Sequence, residues 1–179
     1  MIRISRVYDT VPIKYKTVLQ ETIYKTLIYL NIPFTRVENT PAITMEDCVD
    51  INKVLDVNIV KTLLLCNRQK TDFYLFVTLA NKKFSTKKFS EELNISRFSF
   101  AEDKFLDLLL GSVIGATTIF SVLIDKENKV NVVIDKDVLN EEYYGCTDGT
   151  TTGYIRIKTE DVIKIILPYS NHNYTVISM

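Results

Sequence analysis

Val60-Lys61-Thr62-Leu63-Leu64-Leu65-Cys66 and Phe73-Tyr74-Leu75-Phe76-Val77-Thr78-Leu79 are two nearly continuous apolar runs, separated by the polar residues 67–72. Runs this short that do not alternate apolar with polar, and that carry β-branched and aromatic side chains, read as strands covered on both faces. Joined by one polar loop, they predict a hairpin at the centre of a sheet. Lys61 is the single charge in the first run. A lysine at the mouth of a buried strand can reach a phosphate or carbonyl in a pocket; an edge lysine snorkelling to water is the equal alternative.

Toward the N-terminus, Leu19, Ile23, Leu27 and Leu30 recur at helical spacing and Asn31 ends the pattern, after a segment 1–15 without a clean period that reads as an arm or edge strand. Pro33 to Glu38 alternates like a half-buried strand. Thr44, followed by Glu46 and Asp47, predicts the cap and acidic first turn of a helix ending near Leu55. Toward the C-terminus the pattern gives a helix over Thr86 to Leu93, a strand Arg97 to Phe100 and a helix Ala101 to Leu110. A second hairpin is expected from Ile119–Ile124 and Lys129–Ile134 around the turn at Asp125. Tyr154 to Ile157 is a strand, Thr159 caps a last helix that Pro168 stops, and Tyr174 to Ile177 adds a terminal strand. Strands outnumber helices, but helices are scattered throughout. The expectation is an α/β (α+β) fold, a mixed sheet surrounded by helices, in a single domain over residues 1–179.

Bulk properties narrow the function. The chain has 179 residues with 22 basic and 22 acidic side chains, net charge zero and pI near 6.6, so no global field holds a polyanion and any such partner meets a local patch. Cys48, Cys66 and Cys146 form no CxxC pair, and His172 is the lone histidine, which disfavours a disulfide framework, a zinc site and a histidine-based triad. Cys146 has no histidine partner apparent in the sequence and reads as a small buried or loop residue rather than a nucleophile. No metal or cofactor is expected. Neither a signal-peptide run nor an apolar stretch of membrane-spanning length is evident, so a cytoplasmic address without membrane contact is the default expectation.

Three of the five glycines fall in Gly145-Cys146-Thr147-Asp148-Gly149-Thr150-Thr151-Thr152-Gly153, and the other two are Gly111 and Gly115. Neither segment fits a P-loop, and no GxGxxG is present. They are ordinary tight turns, or loops presenting backbone N–H groups able to stabilise an oxyanion. Lys82, Lys83, Lys87 and Lys88, interleaved with Phe84 and Phe89, are candidates for a nucleic-acid backbone or else a solvated face.

Taken in order, Val60 to Arg68, Phe73-Tyr74-Leu75, Arg97 to Ala101, Gly115 to Ser121, Asp125 to Asn128, Gly145-Cys146 and the helix to Leu167-Pro168 resemble the YbaK/ProX aminoacyl-tRNA editing family over roughly residues 30–170. The resemblance implies a partly closed mixed sheet and a trans-editing deacylase acting on the acceptor end of a mischarged tRNA, often alanine on proline tRNA, with an aminoacyl-tRNA synthetase as a partner. It implies catalytic roles for Lys61, Gly115 and Thr152, and a substrate pocket from Ala116, Thr117, Thr118, Ile119, Thr147, Asp148, Gly149 and Thr151. Where many relatives carry histidine-proline and then asparagine-threonine, this chain has Thr147-Asp148 and Thr151-Thr152. A common proline is Ile119, and a common asparagine is Ile124. Those departures leave three readings open: a deacylase of different amino-acid specificity, a non-catalytic aminoacyl- or nucleotide-binding module, and hydrolysis of another activated ester or thioester.

Overall fold

The structure, a computed structural model, describes residues 2–42, 44 and 46–179. Met1 of the N-terminal arm and Met45 of the expected Thr44 helix start lie outside them. Helix α1 (Val18–Tyr29) is capped by Thr17, whose hydroxyl accepts from the Gln20 N–H, and closes at Asn31, which takes a left-handed φ of 53°. Strand β1 (Thr35–Glu38) follows, then α2 (Cys48–Leu55), β2 (Val60–Cys66) and β3 (Phe73–Leu79). Beyond them come α3 (Thr86–Leu93), β4 (Ser99–Phe100), α4 (Asp103–Leu110), a 3-10 helix (Ile119–Leu123), β5 (Val130–Asp135) and α5 (Lys136–Leu139). The chain ends with β6 (Tyr143–Thr147), β7 (Gly153–Lys158), α6 (Thr159–Asp161), a π-helical turn (Val162–Ile166), α7 (Leu167–Tyr169) and β8 (Tyr174–Ile177).

Among the described residues the strands form a five-stranded sheet, β4-β2-β3-β5-β8, and a three-stranded sheet, β1-β7-β6. The β2–β3 hairpin sits at the centre of the larger sheet in full antiparallel register from Val60↔Leu79 to Cys66↔Phe73. β5 then runs parallel to β3, and β8 parallel to β5. A parallel bridge between Ile59 and Gly145 joins the two sheets, which makes the mixed assembly partly closed. Between the sheets, Val60, Leu64, Leu75, Val77, Val132, Tyr144, Cys146 and Ile155 share one buried cluster with α1 and the 3-10 helix. The opposite face of the large sheet carries Leu65, Phe76 and Val133 against Phe89 of α3. The N-terminal arm runs as an edge along β1: Tyr8 and Arg36 exchange both backbone hydrogen bonds at 2.8 Å, and the Ser5 N–H donates to Glu38 O at 2.8 Å.

Several local expectations are corrected. Ile119–Ile124 is not a strand and there is no second hairpin; the segment is a 3-10 helix, started by Thr118, whose hydroxyl accepts from the Phe120 N–H. All five residues of that helix are buried, and an apolar run without alternation does not distinguish a buried strand from a buried helical turn. β5 therefore pairs in parallel with β3. Helix α2 begins at Cys48, while Thr44 and Asp47 bond each other side chain to side chain at 2.9 Å. Lys158, not Thr159, stands at the cap of the last helix, and Pro168 lies within it, just before its end at Tyr169. Proline has no N–H to continue the ladder, and the preceding turn widens so that the Leu167 N–H reaches Val162 O.

Candidate functional site

The hairpin loop between β6 and β7 is built around a buried carboxylate. Asp148 is 1% exposed. Its Oδ2 accepts from Gln20 Nε2 at 2.7 Å and Tyr24 OH at 3.0 Å, both on α1, and its Oδ1 accepts from Thr150 Oγ1 at 2.7 Å. Burial raises the Asp148 carboxyl above its ordinary value, although the bonds from Thr150, Gln20 and Tyr24 pull it down. Burial, then the charge of Asp148, likewise raises the Tyr24 phenol. Two glycines make this tight approach possible. Gly149 has φ +83°, and a Cβ there would lie 2.8 Å from Leu19 Cγ; at Gly153 a Cβ would lie 2.2 Å from Asp148 Oδ2. Glycine thus recurs in this loop for reasons of space and backbone sign, with the carboxylate docking the loop onto α1.

The same loop meets the Gly115 segment. Thr147 Oγ1 donates to Ala116 O at 3.0 Å, and Thr118 Oγ1 donates to Cys146 Sγ at 3.5 Å. The structure therefore brings the segment Gly115 to Ile119, through Ala116 and Thr118, against Cys146 and Thr147 at the start of the hairpin loop, whereas Thr151 and Thr152 engage the N-terminal part of the chain, Thr151 O accepting from the Ala42 N–H at 2.9 Å and Thr152 O from the Asn39 N–H at 3.0 Å. Ala116, Thr118, Ile119, Thr147, Asp148 and Gly149 are buried, whereas Gly115, Thr117, Thr151 and Thr152 are half-buried at the lip. The Ala116 N–H is engaged by Val113 O at 3.0 Å, but the Gly115 and Thr117 N–H groups have no partner among the described residues. Free backbone donors of this kind, on either side of Ala116, suit a developing oxyanion. Cys146, 2% exposed, has its thiol pushed up to about 12 by burial, which leaves essentially no thiolate for nucleophilic attack near neutrality.

Lys61 is not brought to these loops. Strand alternation puts it on the face of Leu63 and Leu65, toward α3, while Val60 and Leu64 face the cluster containing Cys146 and Ile119. Its ammonium donates to Lys82 O, and burial lowers its pKa. Beside it, Thr78 Oγ1 donates to Asp135 Oδ2 at 2.6 Å, and Lys82 Nζ lies 2.7 Å from both Asp135 and Asp137. Lys82 is thus committed to two carboxylates. Lys83, Lys87 and Lys88 are exposed at the start of α3, where Lys87 lies 3.8 Å from Glu91.

Three participants escaped the sequence reading. Gln20 and Tyr24 lie four residues apart on α1 and look like parts of its buried stripe; only the tertiary fold aims them at Asp148. Lys16, exposed just before α1, donates from Nζ to Thr152 Oγ1 at 2.6 Å and sets a cation at the lip. Thr152 Oγ1 lies in turn 3.3 Å from Thr150 Oγ1, so a hydrogen-bonded chain runs from Lys16 to Asp148. The lone histidine also has a place: His172 Nε2 lies 3.0 Å from Asp125 Oδ2 and Nδ1 2.9 Å from Ser170 O, a buried pair tying the C-terminal segment to the turn before β5. Volume alone does not mark the site. A cavity of about 510 Å³ lined by Leu139, Glu141, Lys158, Thr159, Ile163 and Tyr174, among others, contains none of the loop residues.

Comparison with known proteins assigns the chain to a family. Residues 39–165 match the model of the aminoacyl-tRNA editing domain. The prolyl-tRNA editing protein ProX of Acetoanaerobium sticklandii is 28% identical over 144 residues, covering 79% of this chain and 87% of that protein. Among solved structures, the hypothetical protein APE2540 superposes with TM-score 0.68 at 13% identity, over 88% of this chain and 99% of its own. A candidate trans-editing enzyme for prolyl tRNA synthetase superposes with TM-score 0.64 at 16% identity, over 92% and 99%. At those identities the structural matches establish the fold. The editing-domain match spans both glycine loops, the central hairpin and the helix after β7, and the chain belongs to the aminoacyl-tRNA editing domain family.

Proposed function

We propose that this protein is a trans-editing deacylase that hydrolyses the ester of a mischarged aminoacyl-tRNA, with alanine on proline tRNA as the leading substrate. The observation that carries the reading is the Thr147–Ala116 hydrogen bond, which closes the two loops on each other at 3.0 Å and leaves the Gly115 and Thr117 N–H groups free beside it. An aminoacyl ester is already activated. Water adds to the carbonyl carbon, the oxyanion is held by those N–H groups, and the C–O bond to the ribose breaks as the 3′-oxygen leaves with a proton. The burial of Cys146 and the three donors that occupy Asp148 favour this water route over a covalent one. Lys16 and Thr152 at the lip suit the charged terminus of the RNA, and selection by size would discriminate a small amino acid by about 1 to 3 kcal/mol per methylene. A synthetase partner would supplement the weak field of a neutral chain.

A second reading, a non-catalytic module that binds an aminoacyl or nucleotide end, has one observation in its favour. The Thr147 hydroxyl is donated to Ala116 O and Asp148 is enclosed, so neither replaces a histidine as a proton-transfer group. A deacylation assay over a panel of mischarged tRNAs, extended to free thioesters, separates the two: turnover of Ala-tRNA(Pro) or another member is expected, and no turnover on any member sinks the enzyme reading. Lys16→Ala should lower kcat/KM about tenfold, the scale of one lost charge-assisted contact. Run alongside, Lys61→Ala tests whether that lysine acts at all from its place beneath α3, and unchanged turnover removes it from the site.

A further inference from the structure

The geometry points to a second, phosphate-binding subsite on the outer face of the small sheet, where Arg156 and Lys158 take a backbone phosphate of the RNA whose aminoacylated end lies at the hairpin loop. Arg156 stands in β7, the middle strand, flanked by Thr35 of β1 and Gly145 of β6. Its guanidinium lies 3.7 Å from the centroid of the Tyr143 ring, and stacking fixes the plane of the fork. It has no carboxylate or hydrogen-bond partner among the described residues, and its Nε is buried and unsatisfied. A half-buried arginine with an unmet donor is costly to keep, and an anion accepted by its N–H edge removes that cost.

The surroundings favour phosphate. Pro33, Thr35, Tyr143, Arg156 and Lys158 contribute to a concave cavity of about 210 Å³. Lys158 meets its nearest carboxylate, Glu160, only at 4.0 Å and is free to turn toward the same anion. The acidic neighbours lie outside this cavity: Glu141 accepts from Asn58 Nδ2 at 3.0 Å, and Glu141, Glu142 and Glu160 line an adjoining cavity that only Lys158 shares, so the side of the site at Arg156 holds no carboxylate among the described residues. Arg156 is three residues along β7 from Gly153, roughly 10 Å at strand rise. A single RNA strand can therefore engage both places at once. That the phosphate belongs to RNA rests on the proposed function; the phosphate chemistry rests on Arg156, Lys158 and Tyr143 alone.

The test is fluorescence anisotropy of an uncharged acceptor-stem minihelix ending in CCA, with wild type, Arg156→Gln, Arg156→Lys and Lys158→Gln, each checked for folding by circular dichroism. Arg156→Gln should weaken binding about five- to tenfold and lower the slope of log K against log salt by about one. Arg156→Lys should keep the slope and lose part of the affinity. Lys158→Gln, a surface change that leaves folding intact, should weaken binding about twofold to threefold. Affinity and slope within twofold of wild type in both Gln variants overturn the subsite. Titration with AMP and with inorganic phosphate identifies the source: no displacement of the minihelix at millimolar concentration supports the RNA backbone, and Arg156-dependent binding of AMP with unchanged RNA affinity overturns it. Since the minihelix carries no ester, failure of deacylation refutes the proposed function without touching this readout.

Discussion

Replacing Gly153 by alanine drives a Cβ to 2.2 Å from Oδ2 and 2.6 Å from Cγ of Asp148. Ordinary contact begins near 3.4 Å, so the carboxylate or the β7 backbone must move by about an ångström. The carboxylate is not a flexible end, since Gln20, Tyr24 and Thr150 hold it at 2.7, 3.0 and 2.7 Å. Overpacking alone costs about 1 to 3 kcal/mol. Losing one of the bonds to a charged acceptor adds about 1.5 to 3 kcal/mol. A total near 4 kcal/mol is a large part of the ~5 to 15 kcal/mol that holds a domain together. In urea, with a slope of about 1 to 3 kcal/mol/M, the midpoint should fall by about 2 M. The double variant Gly153→Ala/Asp148→Ala should be no less stable than Asp148→Ala alone, because the clash disappears with the carboxylate. A loss below about 1 kcal/mol for Gly153→Ala, or a double variant showing the sum of the single losses, would refute the close-packed loop.

Three further outcomes follow from the same geometry. Asp148 has its folded pKa raised by burial, so its contribution to stability is present below the ordinary carboxylate value of 3.8 and is lost as pH rises through the folded value. The stability of wild type relative to Asp148→Asn should therefore decline as pH is raised from the acid side, and a difference independent of pH contradicts the shift. Cys146→Ala should leave deacylation within about twofold, since a thiol held near 12 is no nucleophile at neutrality; loss of turnover in a folded variant would restore a covalent route. His172→Ala removes one buried hydrogen bond from Asp125, which keeps the Lys129 and Val130 N–H donors at 3.0 and 2.9 Å, and should destabilise by about 2 kcal/mol, read by chemical denaturation. A loss under about 1 kcal/mol would mean the pair is dispensable.

Much of the fold was legible because it is written in short-range patterns. The β2 and β3 runs, the α1 stripe and the punctuation at Asn31 carry their structure locally, and the central hairpin follows from them. The failures share a physical cause. Ile119 to Leu123 is buried on every side, so it carries no periodicity to separate strand from 3-10 helix, and with it went the parallel pairing of β5 with β3. Pro168 signals a helix end, but a widened turn absorbs its missing N–H and the helix continues to Tyr169.

The glycine-rich loop at 145–153 and the segment at 115–119 stood out from glycine placement alone, and the family resemblance attached a chemistry to them. That they meet, through Thr147 and Ala116, is a property of the closed sheet. What Asp148 does could not be read from its neighbours in sequence, because Gln20 and Tyr24 lie 128 and 124 residues away in the chain. Lys61 and Lys16 exchange prominence for the same reason. A charge inside an apolar run is conspicuous in one dimension, yet strand alternation turns Lys61 toward α3, while an unremarked lysine before α1 arrives at Thr152. Periodicity reports which face a residue takes relative to its own element. Only the packing of α1 against the β6–β7 loop decides what that face meets, since the hydrogen bonds that select it span most of the chain.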